Sequence, residues 1–225
     1  MNWPEVPTTW AVTGTDTGVG KTEVTALLAV AARAAGLDVR AIKAVETGVN
    51  AADPNTDAAR LGRAAGHPPL CGQTWRTPAS PQRATQLEGA PFEEDAVRAF
   101  IQQHSSAITL VEGAGGWTVP LSDTLRWDTF VAEAGVPVLV VAANRLGVLN
   151  HTLLTCEAIR SRGNPLVGVV LNHLQEENPE EADARAGNLG DLAHWLDVPV
   201  VAVPHLRANV DRVAEGMRIW RALQN

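Results

Sequence analysis

The chain has 225 residues, 45% hydrophobic and 19% charged, enough for one α/β domain with a core covered on both faces. A net charge of −7 with 18 scattered Lys and Arg argues against a nucleic-acid partner, and the longest unbroken apolar run, Val136 to Ala143, holds a proline and is far too short to span a bilayer. The N-terminus shows no basic segment followed by an apolar one, and Cys71 and Cys156 lack metal spacing and read as buried or idle thiols, so the expectation is a cytoplasmic protein without a disulfide or membrane contact.

In chain order, the apolar run Trp10 to Thr13 predicts a strand, and an Ala-rich stretch near 21–35 predicts a helix. Between them lies Gly14 to Thr22, G-T-D-T-G-V-G-K-T. Small residues let backbone N–H groups curl around phosphate oxygens, the helix start adds partial positive charge, Lys21 adds a point charge and Thr22 offers a hydroxyl to Mg²⁺. Gly18, Val19, Gly20, Lys21, Thr22 and Glu23 are therefore the expected nucleotide cradle. The spacing departs from G-x-x-x-x-G-K-[ST], which would place its first glycine at Thr15. The loop instead resembles the variant P-loops in which a second lysine reaches the phosphates. Partitioning and nitrogenase-type ATPases carry that lysine at the position of Asp16, so here the charge must come from elsewhere.

The second predicted strand, Val39 to Ala44, carries Lys43 near its end in K-A-V-E-T-G. An ammonium there must find anionic partners, snorkel to the surface or lose its charge, and Lys43 is the candidate for the missing lysine. Asp57 in N-T-D-A-A, taken alone, reads as the start of a helix near 56–65. The segment Gly66 to Pro91, with Pro68, Pro69, Pro78, Pro81 and Pro91, reads as a long irregular loop where substrate sits. After a helix near 93–103, the strand Ile108 to Glu112 delivers a carboxylate directly before Gly113-Ala114-Gly115-Gly116. Thr22, Asp57 and Glu112 together would supply the hard oxygen ligands that Mg²⁺ prefers. Further strands are expected at Val138 to Ala142, Leu166 to Leu171 and Val200 to Val203, and helices near 127–134, 149–162, 180–195 and 209–223.

This alternation predicts an α/β fold, a single doubly wound parallel sheet of about seven strands with helices on both faces, P-loop NTPase-like, in one domain over residues 1–225. In such sheets ligands bind beyond the carboxyl ends of the strands. The residues found there are the phosphate loop, Lys43 and Thr47, Glu112 and its glycine turn, Asn144 to Gly147, Asn172, and Pro204.

G-T-D-T-G-V-G-K-T, K-A-V-E-T-G, N-T-D-A, the P-A-S-P turn, V-E-G-A-G-G-W with P-L-S-D, and R-L-G-V-L-N-H, in that order, resemble the dethiobiotin synthetase family across nearly the whole chain. The resemblance implies a homodimeric, Mg²⁺-dependent ligase that converts 7,8-diaminononanoate, CO₂ and the co-substrate ATP to dethiobiotin, ADP and phosphate. It implies catalytic roles around diamine and γ-phosphate for Thr17, Lys21 and Lys43, and substrate contacts for Thr47 and for the backbone of Gly115 and Gly116. Thr22, Asp57 and Glu112 match the family's metal ligands, while Asn172 and Pro204 match positions that contact the nucleotide base. Val148, Leu149 and Asn150 correspond to the helix start that receives the substrate carboxylate from the other subunit, where free N–H groups and the helix dipole suit an anion. The chain departs from the family pattern at Ala44 (usually Pro), Arg145 (often Lys) and His173 (often Asp), the last read as an exposed loop histidine.

Two rivals share the loop chemistry. A partitioning or division-site ATPase switch often brings its final helix to a membrane, and Val210, Val213, Met217, Trp220 and Leu223 do form an apolar stripe there. A helix covering the sheet shows the same stripe, and Asp16 opposes the switch reading. A cobyrinate-type amide-forming ligase would need a glutaminase domain, for which this length leaves no room.

Overall fold

The fold is that of a computed structural model, in which residues 8–50, 52–175, 185–207 and 209–224 are described. Seven strands form one all-parallel sheet: β1 (Thr8–Gly14), β2 (Val39–Thr47), β3 (Cys71–Trp75), β4 (Ile108–Glu112), β5 (Val138–Ala143), β6 (Leu166–Asn172) and β7 (Val200–Val203), in the spatial order β3-β2-β4-β1-β5-β6-β7. The order reverses about β1, so the crevice beyond its carboxyl end is where this topology receives a ligand. The central strands are near-continuous runs of buried apolar residues because helices cover both faces.

On one face lie α1 (Lys21–Ala34), α2 (Asp57–Ala65) and the final helix, α8 (Arg212–Leu223). The apolar stripe of α8 covers α1 and the sheet: Trp220 lies against Trp10 of β1 at 4.6 Å between the centroids of tilted rings, and its indole N–H donates to the carbonyl of Leu28 in α1 at 3.0 Å. A Cβ on Gly216 would lie 2.1 Å from the Leu27 carbonyl oxygen, so glycine sets how closely the two helices approach. The other face carries α3 (Pro81–Glu88), α4 (Glu94–Gln103), α5 (Trp127–Ala134), α6 (Val148–Ser161) and α7 (Asn188–Trp195).

The segment from Gly66 to Pro91 is not the long irregular loop expected of it. It contains β3, the edge strand paired in parallel to β2, and α3, which begins with Ser80 capping the Arg83 N–H and Pro81 in the first turn. The strand escaped notice because C-G-Q-T-W buries fully only Trp75 and lacks a β-branched run. The prolines read as irregularity included one that starts a helix, where its missing N–H costs nothing. The start of the helix expected at 180–195 lies outside the described residues; within them the helix is Asn188–Trp195. Among the described residues no helix is long and apolar enough to cross a membrane.

Candidate active site

Buried β1 ends in Gly14, and the loop from Thr15 to Gly20 turns into α1 with no side-chain cap, leaving the helix start to whatever binds in the loop. Gly18 and Gly20 adopt φ values of 74° and 90°, a left-handed conformation that favours glycine. Lys21, almost wholly buried, folds back so that its ammonium donates to the Asp16 carbonyl oxygen at 3.1 Å. Burial, and then the neighbouring Lys43, lower its pKa to about 8. The Asp16 carboxylate turns outward and meets Arg145 at 3.2 Å.

Lys43 sits opposite Glu112 in the β2–β4 register. Its ammonium lies 2.5 Å from Glu112 Oε1 and 2.9 Å from Asp57 Oδ2, and the Thr22 hydroxyl donates to the same Glu112 oxygen at 2.7 Å. Burial alone would lower the pKa of Lys43, but Glu112 and Asp57 outweigh it and raise it, so Lys43 stays charged. Asp57 is also held below the usual carboxylate range: burial pushes its carboxyl up, and Lys43, with help from Thr22 and Arg60, more than reverses this. The first turn of α2 thus has two functions. Thr56 caps it through the Ala59 N–H, and Asp57, its first residue, faces the site.

Glu46, which sequence reasoning did not single out, organises this corner. Its carboxylate accepts the backbone N–H of Asp57 at 2.6 Å and of Ala58 at 3.2 Å, fixing the start of α2 against β2. Burial raises its pKa, against those hydrogen bonds. No local pattern marks it, because its partners lie across the chain turn between strand and helix. Glu23 pairs with Arg60 at 2.8 Å.

The glycine turn after β4 crosses directly over the phosphate loop. A Cβ on Gly115 would stand 3.6 Å from Thr17 Oγ1, and one on Gly116 would stand 3.4 Å from the Gly14 carbonyl oxygen. Thr17, Gly18, Gly20, Lys21, Thr22, Glu23, Lys43, Thr47, Asp57, Glu112 and Gly115 therefore border one cavity of about 830 Å³, whose far wall is Pro78 to Pro81. Gly116 and Trp117 border an adjoining hollow of about 490 Å³ with Leu154 and Ala158 of α6. Val148, Leu149 and Asn150 form the uncapped first turn of α6. Val148 is buried and Asn150 exposed.

Asn172 ends β6, and Pro204 directly follows the neighbouring β7. The Asn172 amide donates to the Val19 carbonyl oxygen of the phosphate loop at 3.0 Å, while Pro204 borders a separate hollow of about 520 Å³. His173 is not the exposed loop histidine expected. It is half-buried, and its Nε2 lies 3.0 Å from the Asn144 amide nitrogen. Asn144 Oδ1 accepts from Asn188 at 2.7 Å, so Asn144 bridges the ends of β5 and β6 to α7.

Thr22, Asp57 and Glu112 suit a hard divalent cation. Glu112 is completely buried, and its second oxygen, Oε2, has no hydrogen-bond partner among the described residues. A carboxylate oxygen so placed calls for a cation or an ordered water. Among the described residues no group of three His, Cys, Asp or Glu forms a cage, so the remaining ligands would come from phosphate and water, as is usual for Mg²⁺.

Parallel sheet, phosphate loop at its switch point, and a lysine–carboxylate cluster on the next strand ends define a P-loop nucleotide-binding α/β protein. A family described as an AAA domain matches residues 8–211. The ATP-dependent dethiobiotin synthetase of Anaeromyxobacter dehalogenans (strain 2CP-C) is 42% identical over 191 residues, covering 81% of this chain and 84% of the relative. The synthetase of Aromatoleum aromaticum is 36% identical over 95% of this chain and 98% of the relative, and one from Escherichia coli (strain K12) is 33% identical over 94% and 97%. The chain belongs to the dethiobiotin synthetase family, ATP-dependent ligases of biotin synthesis. A solved structure described as a plasmid partition protein from Borrelia burgdorferi B31 bound to AMPPNP aligns with a TM-score of 0.58 over 98% of this chain and 99% of that one, at 9% identity, which is a likeness of fold.

Proposed function

We propose that the chain closes the ureido ring of dethiobiotin from 7,8-diaminononanoate, CO₂ and ATP, releasing ADP and phosphate. One observation carries the reading beyond the family. Two buried lysines, a buried carboxylate with an oxygen unpartnered among the described residues, and an uncapped helix start converge on one cavity at the sheet's switch point.

An alkylamine with a pKa of about 10.4 must lose a proton to attack CO₂, at a cost of about 4 kcal/mol near neutral pH. Lys21 and Lys43 favour the neutral amine and then the carbamate anion. The carbamate oxygen attacks the γ-phosphorus and ADP leaves, giving a carbamic–phosphoric anhydride. The second amine then attacks the carbonyl carbon, closes the five-membered ring and expels phosphate, which can accept the proton. Phosphoryl transfer of this kind needs positioning and charge stabilisation rather than a protein nucleophile. Thr17, Thr47 and the backbone of Gly115 and Gly116 orient the diamine, and the loop from Gly18 to Glu23 holds the phosphates. Asn172 and Pro204 border the base. Mg²⁺ held by Thr22, Asp57 and Glu112 would offset the charge of the β- and γ-phosphates.

The substrate carboxylate binds the first turn of α6, Val148 to Asn150, of a second copy. Leu146 and Leu154, 99% and 57% exposed beside that turn and along its helix, are apolar surface that a homodimer would cover. The protein works in the cytoplasm, without nucleic acid or membrane.

The test is mass spectrometry of purified protein incubated with 7,8-diaminononanoate, ¹³C-bicarbonate, Mg²⁺ and ATP. Dethiobiotin carrying one labelled carbon at catalytic turnover supports the reading. Absence of product with ATP, CTP and GTP alike, and ATP hydrolysis indifferent to the diamine, would overturn it.

A further inference from the structure

The Lys43 ammonium occupies the ground that a divalent cation needs. It contacts both Glu112 Oε1 and Asp57 Oδ2, and its side chain is only 4% exposed. Glu112 Oε1 also receives the Thr22 hydroxyl, so all three groups assigned to the metal are engaged around this one lysine. We propose that Lys43 is an internal counter-ion that keeps divalent metal off these ligands until a phosphate chain draws its ammonium away, so that metal and nucleotide bind as a coupled pair.

Of the other charged residues bordering the cavity, Glu23 pairs with Arg60, Asp53 accepts the Asn55 N–H and Glu46 accepts two N–H groups of α2, which leaves Lys21 and Lys43 to face Asp57 and Glu112 where the metal would stand. A dication added to that balanced set would stand beside two ammonium groups in a poorly hydrated site, where like charges repel strongly. A triphosphate changes the sum. It brings enough negative charge for both lysines, and the cavity that would hold it is bordered by Lys21 and Lys43 together. The lysine stem is unbranched and flexible, so its ammonium can turn from carboxylate to phosphate without moving β2. Glu112 Oε1 and Asp57 Oδ2 are then released together with the already unpartnered Glu112 Oε2.

This inference rests on the reading of Thr22, Asp57 and Glu112 as metal ligands. The test is Mn²⁺ binding to the full-length protein, followed by electron paramagnetic resonance, with no nucleotide present. Wild type is expected to bind weakly and Lys43→Met about tenfold or more tightly, a typical size for coupling between ligands. The gained affinity should disappear in Lys43→Met/Glu112→Gln, with circular dichroism reporting that each variant is folded. Equal Mn²⁺ affinity in wild type and Lys43→Met overturns the proposal. So does micromolar binding to nucleotide-free wild type, a measurement that needs no variant. Failure of the underlying metal reading has a different signature: with AMPPNP bound, the Mn²⁺ spectrum is the same in wild type and Glu112→Gln.

Discussion

The side-chain amide of Asn172, at the end of β6, donates to the Val19 carbonyl oxygen across 3.0 Å, tying the phosphate loop to a strand two places away in the sheet. The next residue leaves no space for a side chain: a Cβ on Gly20 would lie 2.0 Å from Asn172 Nδ2, at a φ of 90°. Gly20→Ala is expected to strain the loop and push Asn172 off Val19, with a stability loss of about 1–3 kcal/mol and loss of nucleotide binding. Asn172→Ala should cost a similar amount, about 1–3 kcal/mol, because the buried carbonyl loses its donor. Urea unfolding and fluorescent-nucleotide titration of both variants check this; unchanged nucleotide affinity in both would remove the tie from the binding machinery.

Glu112 pairs with Lys43 through Oε1, and in the proposed function it also supports the metal. Glu112→Gln keeps the shape but removes the charge, and turnover is expected to fall about 100-fold, the scale of losing one charge-stabilising group. The same change leaves the buried Lys43 with Asp57 as its charged partner here, and a stability loss of about 3 kcal/mol is expected. Steady-state kinetics and a denaturation curve together distinguish a site residue from a packing residue, which would move only the second.

Lys21 has a pKa lowered to about 8 by burial and by Lys43. Below that pH it is protonated and ready for phosphate; above it the charge is lost unless ligand restores it. A bound phosphate chain raises its pKa, so ATP binding near pH 8.5 is expected to take up a proton, and affinity should weaken as pH rises through about 8. Calorimetry in EDTA, with buffers of different ionisation enthalpy, measures the uptake directly. Lys21→Met should abolish it.

Glu46 accepts two backbone N–H groups at the start of α2, one of them from Asp57. Glu46→Ala is expected to destabilise by about 1–2 kcal/mol, as loss of a helix cap does, and to lower turnover by releasing Asp57. Thr56→Ala removes the neighbouring cap at Ala59 and should cost about 1 kcal/mol with far less effect on rate. Equal rate effects in the two variants would place Glu46 outside the site's support.

Leu154 borders the hollow beside Gly116 and is 57% exposed. Leu154→Glu is expected to shift a dimer toward monomer in sedimentation velocity. Under the proposed reading, in which a second copy supplies the helix start that receives the substrate carboxylate, it should raise KM for the diamine more than KM for ATP. An unchanged sedimentation coefficient would direct attention to another face.

Local chemistry carried much of this protein in the open. Gly14 to Thr22 read as a phosphate loop because strand, small residues, lysine and helix occur in that order, and Glu112 was conspicuous because a carboxylate ends a V-E-G strand directly before a glycine-rich turn. The alternation of buried apolar runs with helical stretches was enough for a parallel sheet with covered faces, since such strands show no period-two pattern. What stayed hidden depended on partners distant in the chain. Edge strand β3 buries too little to declare itself, and it becomes a strand because β2 offers an open edge. Glu46 looks like any strand residue until α2 returns to place two N–H groups against it. His173 looks like an exposed loop residue until β5 delivers Asn144 beside it and half-buries it. That Lys43 meets Glu112 and Asp57 at once follows from the register of β2 against β4 and from the angle at which α2 enters. The sequence by itself determined the kinds of charge present and the elements that carry them, because propensity, turns and loop chemistry act over a few residues. Which charges neutralise one another was decided only by the tertiary structure, because Coulomb and hydrogen-bond energies depend on distances that the packing of strands and helices sets.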